Sequence, residues 1–222
     1  MSKKVAVLFS GGKDSSYALA RADEEYGDED DGGVDTLVSV KAREASMMYH
    51  VPTFELTSLI ADAAEKEHAV YEEGDNALEP LREAVTQLEP DVLAAGAVAS
   101  EYQMSRVESV CEEFGVKTYT PLWGANPEDA LREISHEFEV IVTAVAADGM
   151  DERWLGRELD REAVDEILRL RDDYGVHPMG EGGEFETLAV AGSHMNGRLH
   201  IEYEKDWDGV RGSLRVTEAE IV

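Results

Sequence analysis

The sequence predicts an α/β protein: a doubly wound parallel sheet followed by a smaller α+β part. Three observations lead there. Up to residue 119, short apolar runs of strand length alternate with helical patterns, which implies parallel strands joined by crossovers. The first run, Lys4-Val5-Ala6-Val7-Leu8-Phe9, breaks at Ser10-Gly11-Gly12 and passes at once into a helical pattern. Beyond Trp123 the texture changes to a long strand, helices and three successive strand patterns.

In order along the chain, residues 15–26 carry the first helical pattern. Residues 27–33 are acidic and contain glycine, and read as a solvated loop. Leu37-Val38-Ser39-Val40 is a second strand. Thr57 reads as the N-cap of a helix over 58–67, with Leu59, Ile60 and Ala63 at helical spacing. Residues 68–71 give a third strand, 77–88 a helix, and 91–96 a strand ending on Gly96. A helix over 102–114 closes at Gly115, a left-handed cap, and 116–119 is the fifth strand. Asn126-Pro127 opens a helix to residue 136. Strand 138–146, helix 161–174 and strands 185–191, 198–203 and 212–221 complete the second part. The expected boundary divides 1–122 from 123–222.

In such a sheet, ligands bind outside the carboxyl ends of the strands. Ser10, Val40 and Gly96 all fall at strand ends and are expected to share one rim. Adjacent glycines allow a tight turn, and the helix that follows offers free N–H groups and the positive end of a dipole. Ser10-Gly11-Gly12-Lys13-Asp14-Ser15 is therefore a phosphate seat. It is not a Walker A loop, which needs Gly-x-x-x-x-Gly-Lys-Ser/Thr. Asp14 within it would repel phosphate unless a cation lay between them, which points to Mg²⁺ held by a carboxylate and substrate phosphates. A ligand-free glycine turn is the plain alternative.

Composition narrows the classes. The chain has 222 residues, enough to bury a core without staples. No run of ~20 apolar residues exists, so no membrane span is expected, and the N-terminus has no signal-peptide core. The single cysteine, Cys111, excludes an intrachain disulfide and fits a reducing cytoplasm. The net charge is −29, from 49 acidic and 20 basic residues spread along the chain. At that density self-repulsion destabilises the compact state at low salt, so the composition reads as adaptation to a salty cytoplasm. The alternative is a surface for a basic partner.

Three further clusters stand out. In 96–108, Gly96 lets a ligand approach the backbone. Gln103 and Arg106, one helical turn apart, could face the same cleft, with Arg106 clamping phosphate; an ordinary surface helix is the alternative. In Gly180-Glu181-Gly182-Gly183-Glu184-Phe185-Glu186-Thr187, three carboxylates are interleaved with glycines. Acids packed this way call for a metal, ammonium or a cationic substrate, or else form an acidic turn before a strand. Trp154, between Arg153 and Arg157, lines a pocket between the two parts or packs as core.

The loop Ser10–Ser15 resembles the PP-loop of ATP pyrophosphatases, which cut ATP between the α- and β-phosphates, on an adenine nucleotide α-hydrolase-like, Rossmann-like sheet. Together with the 96–108 run, Pro121-Leu122-Trp123, Trp154-Leu155-Gly156-Arg157 and Glu181–Thr187, in that order, the chain is similar to the diphthine–ammonia ligase (diphthamide synthase) family along essentially its whole length. The resemblance extends to His50, after Met48-Tyr49. It implies ATP-dependent amidation of diphthine on translation elongation factor 2, using ammonium, through an acyl-adenylate. It also implies that Lys13, Asp14 and Arg106 are catalytic. Ser10, Gly11, Gly12, Lys13, Asp14, Ser15, Val40, His50, Gly96 and Gln103 would hold ATP, and Asp14 would hold Mg²⁺. Tyr102, Glu181, Gly182, Gly183, Glu184, Glu186 and Thr187 would meet the acceptor.

Two other readings stay open. PP-loop enzymes also modify tRNA by thiolation or amidation, but sulfur transfer needs more thiols than Cys111 alone, which sits in an apolar-patterned helix. The acidic charge also disfavours RNA. A nucleotide sensor without catalysis would share the sheet but not the Ser-Gly-Gly-x-Asp-Ser loop. Nothing in the residues fixes an oligomeric state, and a homo-oligomer is left open.

Overall fold

The structure is a computed structural model and describes residues 3–27, 33–41, 54–98 and 100–222. Five strands, β1 (Val5–Leu8), β2 (Thr36–Lys41), β3 (Glu67–Glu72), β4 (Val92–Ala94) and β5 (Lys117–Tyr119), form a sheet in the order β3-β2-β1-β4-β5. Every neighbouring pair is parallel. Helices α1 (Lys13–Tyr26), α2 (Thr57–Ala63), α3 (Glu79–Leu88) and α4 (Glu101–Phe114) connect them. This is the doubly wound sheet the alternating pattern predicts. The strand order reverses direction at β1, so the loop after β1 lies at the switch point where such sheets bind ligands.

The second part has α5 (Pro127–Glu137), β6 (Glu139–Val145), α6 (Arg161–Tyr174), β7 (Phe185–Ala191), β8 (Leu199–Trp207) and β9 (Gly212–Ile221). Its four strands run in the order β7-β6-β9-β8, and all pairs are antiparallel. Asn126 caps α5 by accepting from the amides of Glu128 and Asp129, as its sequence predicts. Asp160 caps α6 through the Ala163 amide. β6 meets β9 over two residue pairs only, Ala144 with Ser213 and Val145 with Gly212, whereas β8 and β9 pair along nine. The β8–β9 hairpin is thus anchored at its turn end to the sheet.

Several boundaries differ from the sequence expectation, among them the end of β8, at Trp207 and not residue 203. α1 begins at Lys13, not residue 15, so Lys13 and Asp14 lie in its first turn. Thr57 is inside α2, with its hydroxyl donating to the Phe54 carbonyl instead of capping. α2 stops at Ala63 because Glu65 turns left-handed, at φ 57°, and the Lys66 amide reaches back to Ala61 O, steering the chain into β3. Residues 28–32 of the acidic loop lie outside the described residues.

α1 is buried on two sides. Leu19 and Ala22 pack with Val5, Val7 and Ile60 of the parallel part, in a cluster that also takes Leu188 and Val190 of β7. Tyr17 and Ala20 join the other cluster, with Leu131, Ile134 and Trp154. Burying a side chain of the size of Leu19 contributes roughly 1.5–3 kcal/mol, and the helix that carries the loop is packed into the clusters of both sheets. Polar contacts add to this: Tyr17 Oη donates to Glu133, and Arg21 pairs with Glu137. Trp154, 1% exposed, is a core residue, with the Arg157 guanidinium stacked over it. Cys111 is buried, and burial raises its thiol pKa.

His194 is buried against Phe138, with ring centroids 5.4 Å apart, and its ring nitrogens have no hydrogen-bond partner among the described residues. Burial lowers its pKa to about 4 from an ordinary 6.5. The unfolded chain therefore takes up this proton first as the pH falls through 6.5. Stability is full above that value and declines toward pH 4, by roughly 3 kcal/mol. Urea melts of His194→Phe should show a shallower loss between pH 6.5 and 4 than the parent; an identical slope would contradict the assignment.

Candidate active site

β1 ends at Leu8, and its continuation is pinned: the Phe9 amide donates to Val38 O, and Ser39 Oγ donates to Phe9 O. The chain then turns through Gly11 at φ +78°, a left-handed conformation, with Ile60 Cδ1 3.3 Å from where a Cβ would sit. Glycine meets both constraints. Ser10 and Ser15 close the loop on itself, with their hydroxyls 3.1 Å apart, the Ser10 amide donating to Ser15 Oγ, and Ser15 Oγ donating to Gly12 O.

The N-cap of α1, Gly12, supplies no side-chain cap. A hydroxyl from the second sheet takes part of that role: the Lys13 amide donates to Thr187 Oγ1 at 3.2 Å. Two more bonds join the loop to the same region. Ala189 N donates to Gly11 O at 2.9 Å, and Lys13 Nζ donates to Met179 O at 2.6 Å. Thr187→Val should therefore loosen the loop, destabilising the protein by ~1 kcal/mol and weakening nucleotide binding, while Thr187→Ser keeps both. Equal behaviour of the two variants in thermal melts and nucleotide titrations would refute the cap.

Lys13, 2% exposed, also pairs with Asp14 Oδ2 at 2.8 Å. Burial raises the Asp14 pKa; Lys13 opposes the shift, and the charge of Glu186 adds to it. The other oxygen, Asp14 Oδ1, is buried with no hydrogen-bond partner among the described residues. A buried carboxylate oxygen left over beside a phosphate seat suits a hard divalent cation that takes oxygen ligands, so the residues present fit Mg²⁺.

Across from the loop, residues 179–185 fold into a tight turn. Gly180 N donates to His177 O, and Gly183 N to Gly180 O. Glu184 staples this turn: its oxygens accept from the amides of His177, at 3.0 Å, and Gly182, at 2.7 Å. The two regions enclose a cleft of ≈ 850 Å³, within the range of small-molecule sites.

Residues 3–118 match the family model described as the diphthamide synthase N-terminal domain, and residues 126–222 match the diphthamide synthase C-terminal domain. The chain belongs to the diphthamide synthase family. It is similar to the diphthine–ammonia ligase of Rattus norvegicus, 33% identical over 215 residues, covering 84% of this chain and 78% of that protein. The Bos taurus protein of the same name is 38% identical over 121 residues, covering 54% of this chain and 45% of that protein. A crystal structure described as a predicted subunit of tRNA methyltransferase from Methanocaldococcus jannaschii overlaps at TM-score 0.45 and 18% identity, covering 86% of this chain and 98% of that one.

Of the residues the diphthamide synthase resemblance singles out, Ser10, Gly12, Lys13, Asp14 and Ser15 line the cleft from the loop, and Val40, Gly96 and Gln103 from the strand ends and α4. Glu181, Gly182, Gly183, Glu186 and Thr187 line it from the opposite side. Gly11, Glu184, Tyr102 and Arg106 are not lining residues. Gly11 shapes the turn from behind, and Glu184 is used up by the loop amides. Arg106 stacks its guanidinium 3.6 Å from the Tyr102 ring centroid. Gly96 also serves a neighbour that was not expected: the atoms closest to its missing Cβ are the backbone of Asp14 and Ser15. His50 lies outside the described residues. Sequence reasoning passed over the far wall, Asp206, Asp208, Arg211, Gly212 and Ser213 at the β8–β9 turn. Its signal was present in Asp208-Gly209, a hairpin-turn pair between two strand patterns.

Proposed function

We propose that this protein is an AMP-forming ligase that amidates diphthine on translation elongation factor 2 with ATP and ammonium. The observation that carries the reading is the direct bonding of the phosphate loop to the glutamate-glycine region through Lys13, Thr187 and Gly11, in a chain that matches both domains of the family. The acceptor carboxylate oxygen attacks the α-phosphorus, the bond from that phosphorus to the bridging oxygen breaks, and pyrophosphate leaves. Ammonia then attacks the acyl carbon, the bond to AMP breaks, and the nitrogen gives up its extra proton.

The loop amides, with Ser10 and Ser15, hold the pyrophosphate portion at the N-terminus of α1. Lys13 neutralises charge as it develops on the leaving group. Asp14 would hold Mg²⁺, and the ion would supply further neutralisation of the phosphates. Glu181 and Glu186 face the acceptor side, where ammonium is bound and loses its proton. Glu184 positions the turn that carries Glu181. The chain divides at 122/123 into a nucleotide half and an acceptor half, and works in the cytoplasm.

The acidic surface suits a halophile, in which salt screens its self-repulsion; the Debye length is about 3 Å at 1 M. The Tm should rise between 0.1 M and 2 M KCl, and an unchanged Tm would remove that part of the reading. The reaction itself is tested by incubating the protein with ATP and Mg²⁺, with and without ammonium and unamidated elongation factor 2. AMP is expected only when both are present. Intact ATP in the complete mixture would identify a nucleotide-binding protein without this activity.

A further inference from the structure

The cleft has a charge imbalance. Its lining includes the carboxylates Asp14, Glu181, Glu186, Asp206 and Asp208. Two of the reactants proposed for it bring anionic groups that must also be held there, a triphosphate and a carboxylate. Among the described residues lining the cleft, the cations are Lys13 and Arg211. Lys13 sits at the deep end, committed to Asp14 and to the Met179 carbonyl. Arg106, which the sequence offers as a phosphate clamp, stacks on Tyr102 and does not line the cleft.

Arg211 stands on a prepared turn. Asp208 Oδ1 accepts from the amides of both Val210 and Arg211 at 2.9 Å, which fixes the connection between β8 and β9. Asp208 Oδ2 receives Arg211 Nε at 3.3 Å. Holding the guanidinium by Nε directs its terminal N–H groups outward, the pair of donors that matches an oxyanion in bidentate fashion. The turn adjoins Gly212 and Ser213, the residues that tie the hairpin to β6, so the side chain stands on the rigid end of the hairpin.

From these placements we propose that Arg211 is an oxyanion-binding residue at the mouth of the cleft. It receives either a phosphate of the nucleotide or the carboxylate of the acceptor, opposite the loop that holds pyrophosphate. The inference rests on the functional reading above and adds a substrate contact on the second sheet. Its side chain is 75% exposed, so replacing it should leave the fold intact.

The test uses the full chain and the variants Arg211→Gln and Arg211→Lys. Titration calorimetry with α,β-methylene-ATP and Mg²⁺ gives nucleotide affinity, and AMP release against elongation factor 2 concentration gives the acceptor KM. Arg211→Gln should lose about tenfold in one of the two at unchanged Tm. Arg211→Lys should recover part of that loss, because it keeps the charge without the fork. A loss in nucleotide affinity assigns the oxyanion to ATP, and a rise in acceptor KM assigns it to the acceptor carboxylate. Both quantities within twofold of the parent overturn the proposal while leaving the ligase reading standing. A parent protein that neither binds nucleotide nor releases AMP overturns that reading and this inference with it.

Discussion

Replacing Lys13 by alanine is expected to lower AMP release at least 10²–10³-fold, the cost of losing a charge aimed at a developing anion. The Lys13 ammonium is the cation at the loop end of the cleft, held at 2.8 Å from Asp14 and 2.6 Å from Met179 O. Its removal also leaves a partly buried carboxylate without its partner, and the Met179 carbonyl without a donor. Stability should fall by about 1–3 kcal/mol. The Asp14 carboxyl would then titrate at still higher pH, because the chief influence opposing burial is gone. Chromatographic assay of AMP, beside a thermal melt of the same preparation, separates the two effects. Full activity in a folded Lys13→Ala protein would contradict the assigned role.

Gly96→Ala is expected to be nearly as damaging, through its packing against α1. A Cβ there would lie 2.5 Å from the carbonyl carbon and oxygen of Asp14 and 2.8 Å from the Ser15 amide nitrogen. All three are backbone atoms, so no rotamer change relieves the clash, and the first turn of α1 must shift. Overpacking of this kind costs about 1–3 kcal/mol, which for a chain of this size lowers Tm by roughly 3–10 °C. The shift would also move Lys13 and Asp14, so nucleotide affinity should fall together with stability. Gly74→Ala is the matched control, since nothing lies within 4 Å of its added carbon; its stability should stay within ~0.5 kcal/mol. A Gly96→Ala protein as stable and as tight-binding as this control would show that the packing against α1 is not required.

The strands and the phosphate loop were legible because their signals are local. An apolar run ending in paired glycines can be read without knowing what surrounds it, and so can the Asn126-Pro127 helix start. The bonding partners of single side chains were legible only where the partner is also local. Thr187 reads in sequence as an acceptor contact, yet it bonds to an amide 174 positions away. Glu184 reads as one of three equivalent carboxylates, and only the folded turn shows that its oxygens are taken by the amides of His177 and Gly182. The choice between Arg106 and Arg211 depends on how a helix rotates and where a hairpin ends, and neither is written in residue spacing. α2 shows the same limit, since Leu59, Ile60 and Ala63 set its face while the left-handed turn at Glu65 sets its length.

The central claim is that the cleft between the loop and the second sheet completes diphthamide. The most direct measurement is mass spectrometry of the modified histidine on elongation factor 2 from a strain lacking this chain, with and without the chain restored. The expected result is accumulation of the unamidated diphthine form, converted to diphthamide by the restored protein but not by its Lys13→Ala variant. Normal diphthamide in the deletion strain would contradict the claim.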